Sequence, residues 1–148
     1  TTLNYPNGDV PIYKGVCTDV VVRALRVASI DLQKEIHQDM TENFNDYPKK
    51  WGLKRPDSNI DHRRVPNQQT FFDRKGWNLK ITNDSKNYLP GDIVAWKLGN
   101  GRDHIRIVSN KLTASERPLV VHNIGMGAQI EDVLFDWKII GHYRHPTQ

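Results

Sequence analysis

Residues 16–28 read VCTDVVVRALRVA. Apolar side chains fall at 16, 20, 21, 24, 25 and 28, a spacing that repeats with the helical period and marks one face for burial. Thr18 and Asp19 suit the first turn of a helix, and Gly15 just before them supplies a break. The helix therefore starts at or beside Cys17. Upstream, residues 1–15 carry Pro6, Gly8, Pro11 and Gly15 and read as an irregular entry segment.

Downstream, residues 31–46 give a second helical stretch. Residues 47–69 hold three prolines and little periodicity, which predicts a long ordered loop, a feature that is often functional. Residues 70–77 (TFFDRKGW) predict a short helix ending at Gly76. The remainder reads as β. LPGD is a turn into a strand over Asp92–Leu98, GNGRD is a second turn, and HIRIVSNK alternates as a strand. PLVVHNIG is another strand, running into Gly125-Met126-Gly127, and IIGHYRH is the last. Helices first and an antiparallel sheet after them give an α+β plan. With 148 residues and no linker, one domain over 1–148 is expected.

Composition narrows the partners. Apolar residues at 37% and thirteen aromatics exclude a disordered chain. No apolar run is long enough to span a membrane. Lys and Arg total 21 against 17 Asp and Glu, so the net charge of +4 favours anionic partners. No Lys/Arg run with interleaved aromatics marks a nucleic-acid surface, so no nucleic acid is expected.

Cys17 is the one cysteine. Composition alone assigns such a residue to the core, because free Cys is among the most buried types. Its place argues otherwise. At a helix start, unpaired N–H groups and the positive dipole end lower a thiol pKa, and the same N–H groups can hold an oxyanion during acyl transfer. A nucleophilic Cys needs a base, usually His, and a group to orient it. Of six His, at 37, 62, 104, 122, 142 and 145, two fall on neighbouring strands where they can share a face. These are His104, opening its strand, and His122 within VVHN. A mixed zinc site from Cys17, Asp103, His104 and His122 is the rival chemistry. Neither HExxH nor CxxC is present, so neither metal nor cofactor is expected.

GVCTDVV, LPGDIVAW (89–96), DHIRIVS (103–109) and VVHNIG (120–125) together resemble the NlpC/P60 and CHAP cell-wall cysteine peptidases and amidases. The whole chain also resembles the DUF1287 family through GDVP, GVCTDVVVRA, IDLQ, PGDIVAW, PLVVHNIG, EDVLF and GHYR. The resemblance implies a papain-like fold, with N-terminal helices packed on the sheet. It implies Cys17 as nucleophile, His104 as base and His122 as the residue orienting His104. Asn123 is the alternative for that last role, on the opposite face by strand alternation. Tyr5, in YPNG, is similar to an upstream Tyr of NlpC/P60 proteins that steadies an oxyanion or substrate; packing in the entry loop is the competing reading. The implied substrate is peptidoglycan stem peptide or a related cell-wall amide, in the periplasm, at the cell envelope or outside the cell. Whether an inhibitory or immunity protein accompanies it stays open.

Arg106 departs from the family-like His-Ile-Gly-Ile-Val pattern, standing where Gly is expected. It shares a strand face with His104. Two readings stand open: it binds a substrate carboxylate, or it marks altered or lost activity. NIDHRRVPN (59–67) concentrates charge between prolines. It is either a solvated loop held by internal salt bridges or a specificity loop in which Arg63 or Arg64 forks onto a peptide carboxylate. His62 is the minority choice for third catalytic residue.

Overall fold

The computed structural model describes residues 3–6, 8–9, 17–49, 54–123 and 128–146, the side chains of 122, 123 and 128 excepted. Helix α1 is Cys17–Val27, α2 is Leu32–Glu42 and α3 is Val65–Arg74. The strands are β1 Ile93–Lys97, β2 Asp103–Leu112, β3 Pro118–Asn123, β4 Ala128–Glu131 and β5 Lys138–Tyr143. They form one antiparallel sheet in the order β4-β3-β2-β1-β5. No helix among the described residues is long and apolar enough to cross a membrane.

Two helix boundaries differ from the sequence reading, and one strand is added. The second helix stops at Glu42, and Asn43 leaves helical geometry (φ −136°, ψ 41°) before a short 3-10 turn at Phe44–Asp46. The third helix starts at Val65, not 70, because Pro66 sits in its first turn, where a missing N–H costs nothing. The predicted loop is correspondingly shorter, and a 3-10 turn at Asp61–Arg63 lies within it. Strand β4 went unread. Its residues, AQIE, alternate but are only four, too short a run to register, although a Gly-rich stretch directly after a strand is itself a hairpin signal.

Both faces of the sheet are covered. Burial of four consecutive residues, Ile93 to Trp96, reflects this in β1. One face, with Ile93, Ala95, Ile105, Ile107 and Tyr143, packs on Val21, Val22 and Leu25 of α1, Leu32, Ile36 and Met40 of α2, and Phe71 and Phe72 of α3. The other face, with Val94, Trp96, Val108 and Val120, packs under Tyr88 and Leu134. There Trp96 Nε1 donates to the Leu134 carbonyl at 2.9 Å, fastening the crossing between β4 and β5 over the sheet. The β1–β2 hairpin closes through Leu98 and Arg102 (2.8 Å), with Gly101 at φ +81°, a conformation that favours glycine. The free edge of β5 is met by residues 77–79: the Leu79 amide donates to the His142 carbonyl and the Arg144 amide to that of Trp77.

Candidate active site

Cys17 is the first residue of α1 and half-buried. The apolar stripe of α1 drives that helix onto the sheet and carries the thiol to β2. There the backbone N–H groups of Ile105 and Thr18 lie beside the sulfur and favour its charged form. The sequence reading expects these donors to lower the thiol pKa. The outcome is the reverse. Burial pushes the thiol up, and the Ile105 N–H, the Arg106 charge and the Thr18 N–H pull it down by less. The resting sulfur is a protonated thiol at neutral pH.

His104 is not on the same side of the sheet. It stands opposite Trp96 in the β1–β2 register, and its ring lies 5.9 Å from that of Trp96 and 6.1 Å from that of Trp137. Both tryptophans belong to the second cluster, whereas Cys17 packs against the helix-side cluster. The structure therefore places the thiol and the His104 ring across β2 from each other. A signal for this lay in HIRIV: Ile105 and Ile107 are the apolar members of the alternation, and the larger core lies under the helices. His122 and Asn123 stand opposite Gln129 and Ala128 in the β3–β4 ladder, and their side chains lie outside the described residues.

Arg106 is opposite Val94, on the face away from the helices. It is 7% exposed and pairs with Glu131 at 3.1 Å. A carboxylate of the chain itself occupies the guanidinium. The same holds for Arg63, which forks onto Asp19 with Nε–Oδ1 2.8 Å and Nη2–Oδ2 3.0 Å. Asp19 is 2% exposed in the first turn of α1. Gln68 adds a second tie, its amide donating to the carbonyls of His62 (2.8 Å) and Thr18 (3.3 Å). The 59–67 segment is thus bolted onto the turn that carries Cys17; it is bridged to a residue outside itself, and Asp61 and His62 are buried where a solvated loop is one expectation. Arg64 is half-buried and leads into α3. Tyr5 lies edge-on against His37 of α2, ring centroids 5.0 Å apart. The Gly8 carbonyl accepts from Arg26 in the last turn of α1, nine residues and about 14 Å along the helix from Cys17.

His62 is 2% exposed, and its pKa falls from 6.5 to about 4, first through burial and then through the Arg63 charge. The folded state holds this ring neutral while the unfolded chain protonates it near its ordinary value. Its contribution to stability is therefore complete above pH 6.5 and lost as pH falls from 6.5 towards 4. Its full size is about 3 kcal/mol. Urea midpoints measured from pH 7.5 to 4 are expected to fall more steeply for the wild type than for His62→Gln. Parallel profiles would reject a neutral buried ring.

Asp19 and Asp92, which the sequence marks only as a first-turn residue and a strand start, are buried charges. Asp92 is fully buried and accepts from the Leu89 amide (2.9 Å), His142 Nε2 (2.6 Å) and Arg144 Nε and Nη2 (2.7 and 2.8 Å). Burial alone would raise its pKa, but the bonds from Arg144, His142 and Leu89 hold it below the usual carboxylate range. Among the described residues, no group of three His, Cys, Asp or Glu side chains is arranged to hold a metal ion.

The fold is a mixed α+β sheet-and-helix domain with a half-buried thiol on the helix-bearing face. The chain belongs to the DUF1287 family, described as a domain of unknown function, which matches residues 1–145. It is similar to the protein described as "Uncharacterized protein YijF" of Escherichia coli (strain K12), 57% identical over 143 residues, covering 97% of this chain and 70% of that protein. No solved structure matches it.

Proposed function

We propose that this protein is a papain-like cysteine hydrolase, akin to NlpC/P60 and CHAP enzymes, that cleaves amide bonds in peptidoglycan stem peptides at the bacterial cell envelope. The observation that carries the reading is the thiol at the head of α1, packed on the helix-bearing face of the sheet beside the Ile105 and Thr18 amides. Once sulfur bonds to a carbonyl carbon, those donors are suited to the oxygen that takes up the charge. The thioester then forms as the amine leaves with a proton, and water releases the acyl group. Because burial keeps the thiol protonated, the base must take its proton during attack and not beforehand. The resemblance assigns that step to His104, oriented by His122. In the arrangement above the His104 ring stands across β2, so the reading requires it to reach the thiol side or β3 to supply the base.

That same separation, with Arg106 on the His104 face and tied to Glu131, favours a second reading: a cell-wall or protein-binding module that has kept the fold without the activity. Digestion of purified peptidoglycan separates the two, comparing wild type with Cys17→Ala, His104→Ala and His122→Ala and identifying products by mass spectrometry. Muropeptide release by the wild type that is lost in Cys17→Ala supports the hydrolase and names the bond. The His variant that also loses it identifies the base. No release by the wild type, with peptidoglycan pelleting the protein, supports the binding module.

A further inference from the structure

A pocket of about 300 Å³ opens along β5 and is lined by Leu79, Lys80, Thr82, Asn87, His142 and Arg144. β1 separates β5 from β2, so this pocket is not the Cys17 site. We propose that it binds a small oxyanion, a carboxylate or a phosphate, through Arg144 and Lys80.

The pocket presents donors that no group of the described residues answers. Asp92, the buried carboxylate beside the pocket, is saturated: its two oxygens accept four hydrogen bonds, two of them from Arg144. It is fully buried and offers nothing to a ligand. Arg144 spends Nε and Nη2 on Asp92 and, through Nη2, on the Asn87 carbonyl at 3.2 Å. Its Nη1 has no partner among the described residues, and 29% of the side chain is exposed. The guanidinium is rigid and planar, so the Asp92 clamp fixes the direction in which Nη1 offers its two hydrogens. Lys80, exposed on the same pocket, makes no ion pair among the described residues and adds a mobile positive charge. His142 supplies a second unanswered polar atom. It is 1% exposed, donates Nε2 to Asp92, and has no partner at Nδ1 among the described residues. With Asp92 cancelling one charge, the pocket keeps a net positive charge from Lys80 and Arg144 together. A clamped guanidinium beside a flexible ammonium is a combination that recognises carboxylate and phosphate groups.

The test is a 15N-resolved NMR titration of the intact chain with inorganic phosphate and, separately, with N-acetylglycine, at constant ionic strength. Saturable shifts at residues 79–82 and 142–144 are expected. They should weaken at least ten-fold in Lys80→Glu and persist in Lys34→Glu, which makes the same charge change on exposed α2 surface. The tighter of the two probes tells whether the natural ligand is a carboxylate or a phosphate. Shifts that do not saturate, that lie elsewhere, or that weaken equally in both variants would overturn the proposal.

Discussion

Asp92→Ala is expected to remove about 3–5 kcal/mol of unfolding free energy, the usual cost of stripping one partner from a buried charge pair. Few domains have more than two or three times that to lose. The carboxylate closes the turn into β1, since Asp92 Oδ2 accepts from the Leu89 amide while the Asp92 amide donates to the Leu89 carbonyl. It also joins the start of β1 to the end of β5, where His142 and Arg144 lie 50 and 52 positions away in the chain. Alanine leaves an imidazole buried beside a guanidinium, with no anion between them. Asp92→Asn keeps the shape and an acceptor but not the charge, so it should fall between. Urea unfolding of the three proteins at neutral pH measures the series. A loss under 1 kcal/mol for alanine would mean that water or a rearranged turn takes over the role of the carboxylate.

Asp92 also marks where sequence stops being legible. LPGD announces a turn into a strand because Pro and Gly act locally. Nothing local announces a clamp across 50 residues. The stripe of α1 was readable for the same reason as the turn: six apolar positions at helical spacing need no partner to be recognised. The facing of β2 was half-readable. Alternation correctly put residues 104 and 106 on one face, but choosing which face met α1 required weighing the two cores. The charged 59–67 segment was readable only as a pair of options, because Arg63 finds its carboxylate 44 positions earlier. The direction of the Cys17 pKa was beyond reach as well. Helix position gives the donors, while burial, which decides the sign, comes from the sheet packed against them.

The Arg63–Asp19 fork links that segment to the candidate site, and its disruption is the second large effect. Asp19→Ala should cost about 3–5 kcal/mol, because the acid is 2% exposed and its loss strands a guanidinium only 16% exposed. Up to about 1 kcal/mol of this comes from losing a negative charge in the first turn of α1. The remainder belongs to the stranded Arg63, and a double variant isolates it. Asp19→Ala with Arg63→Met removes both charges and keeps the apolar stem, so it should recover much of the loss by urea denaturation. A double variant no more stable than Asp19→Ala alone would show that the acid acts through the helix and not through the pair. The single variant carries a local signature too. With the fork gone, Gln68 is the remaining side-chain tie described between the segment and Thr18, so residues 59–64 should be cut by protease sooner than in the wild type. Thr18 directly follows Cys17 and its amide favours the charged thiol, so Cys17 alkylation rates in the same variant report whether the loop holds this turn in shape.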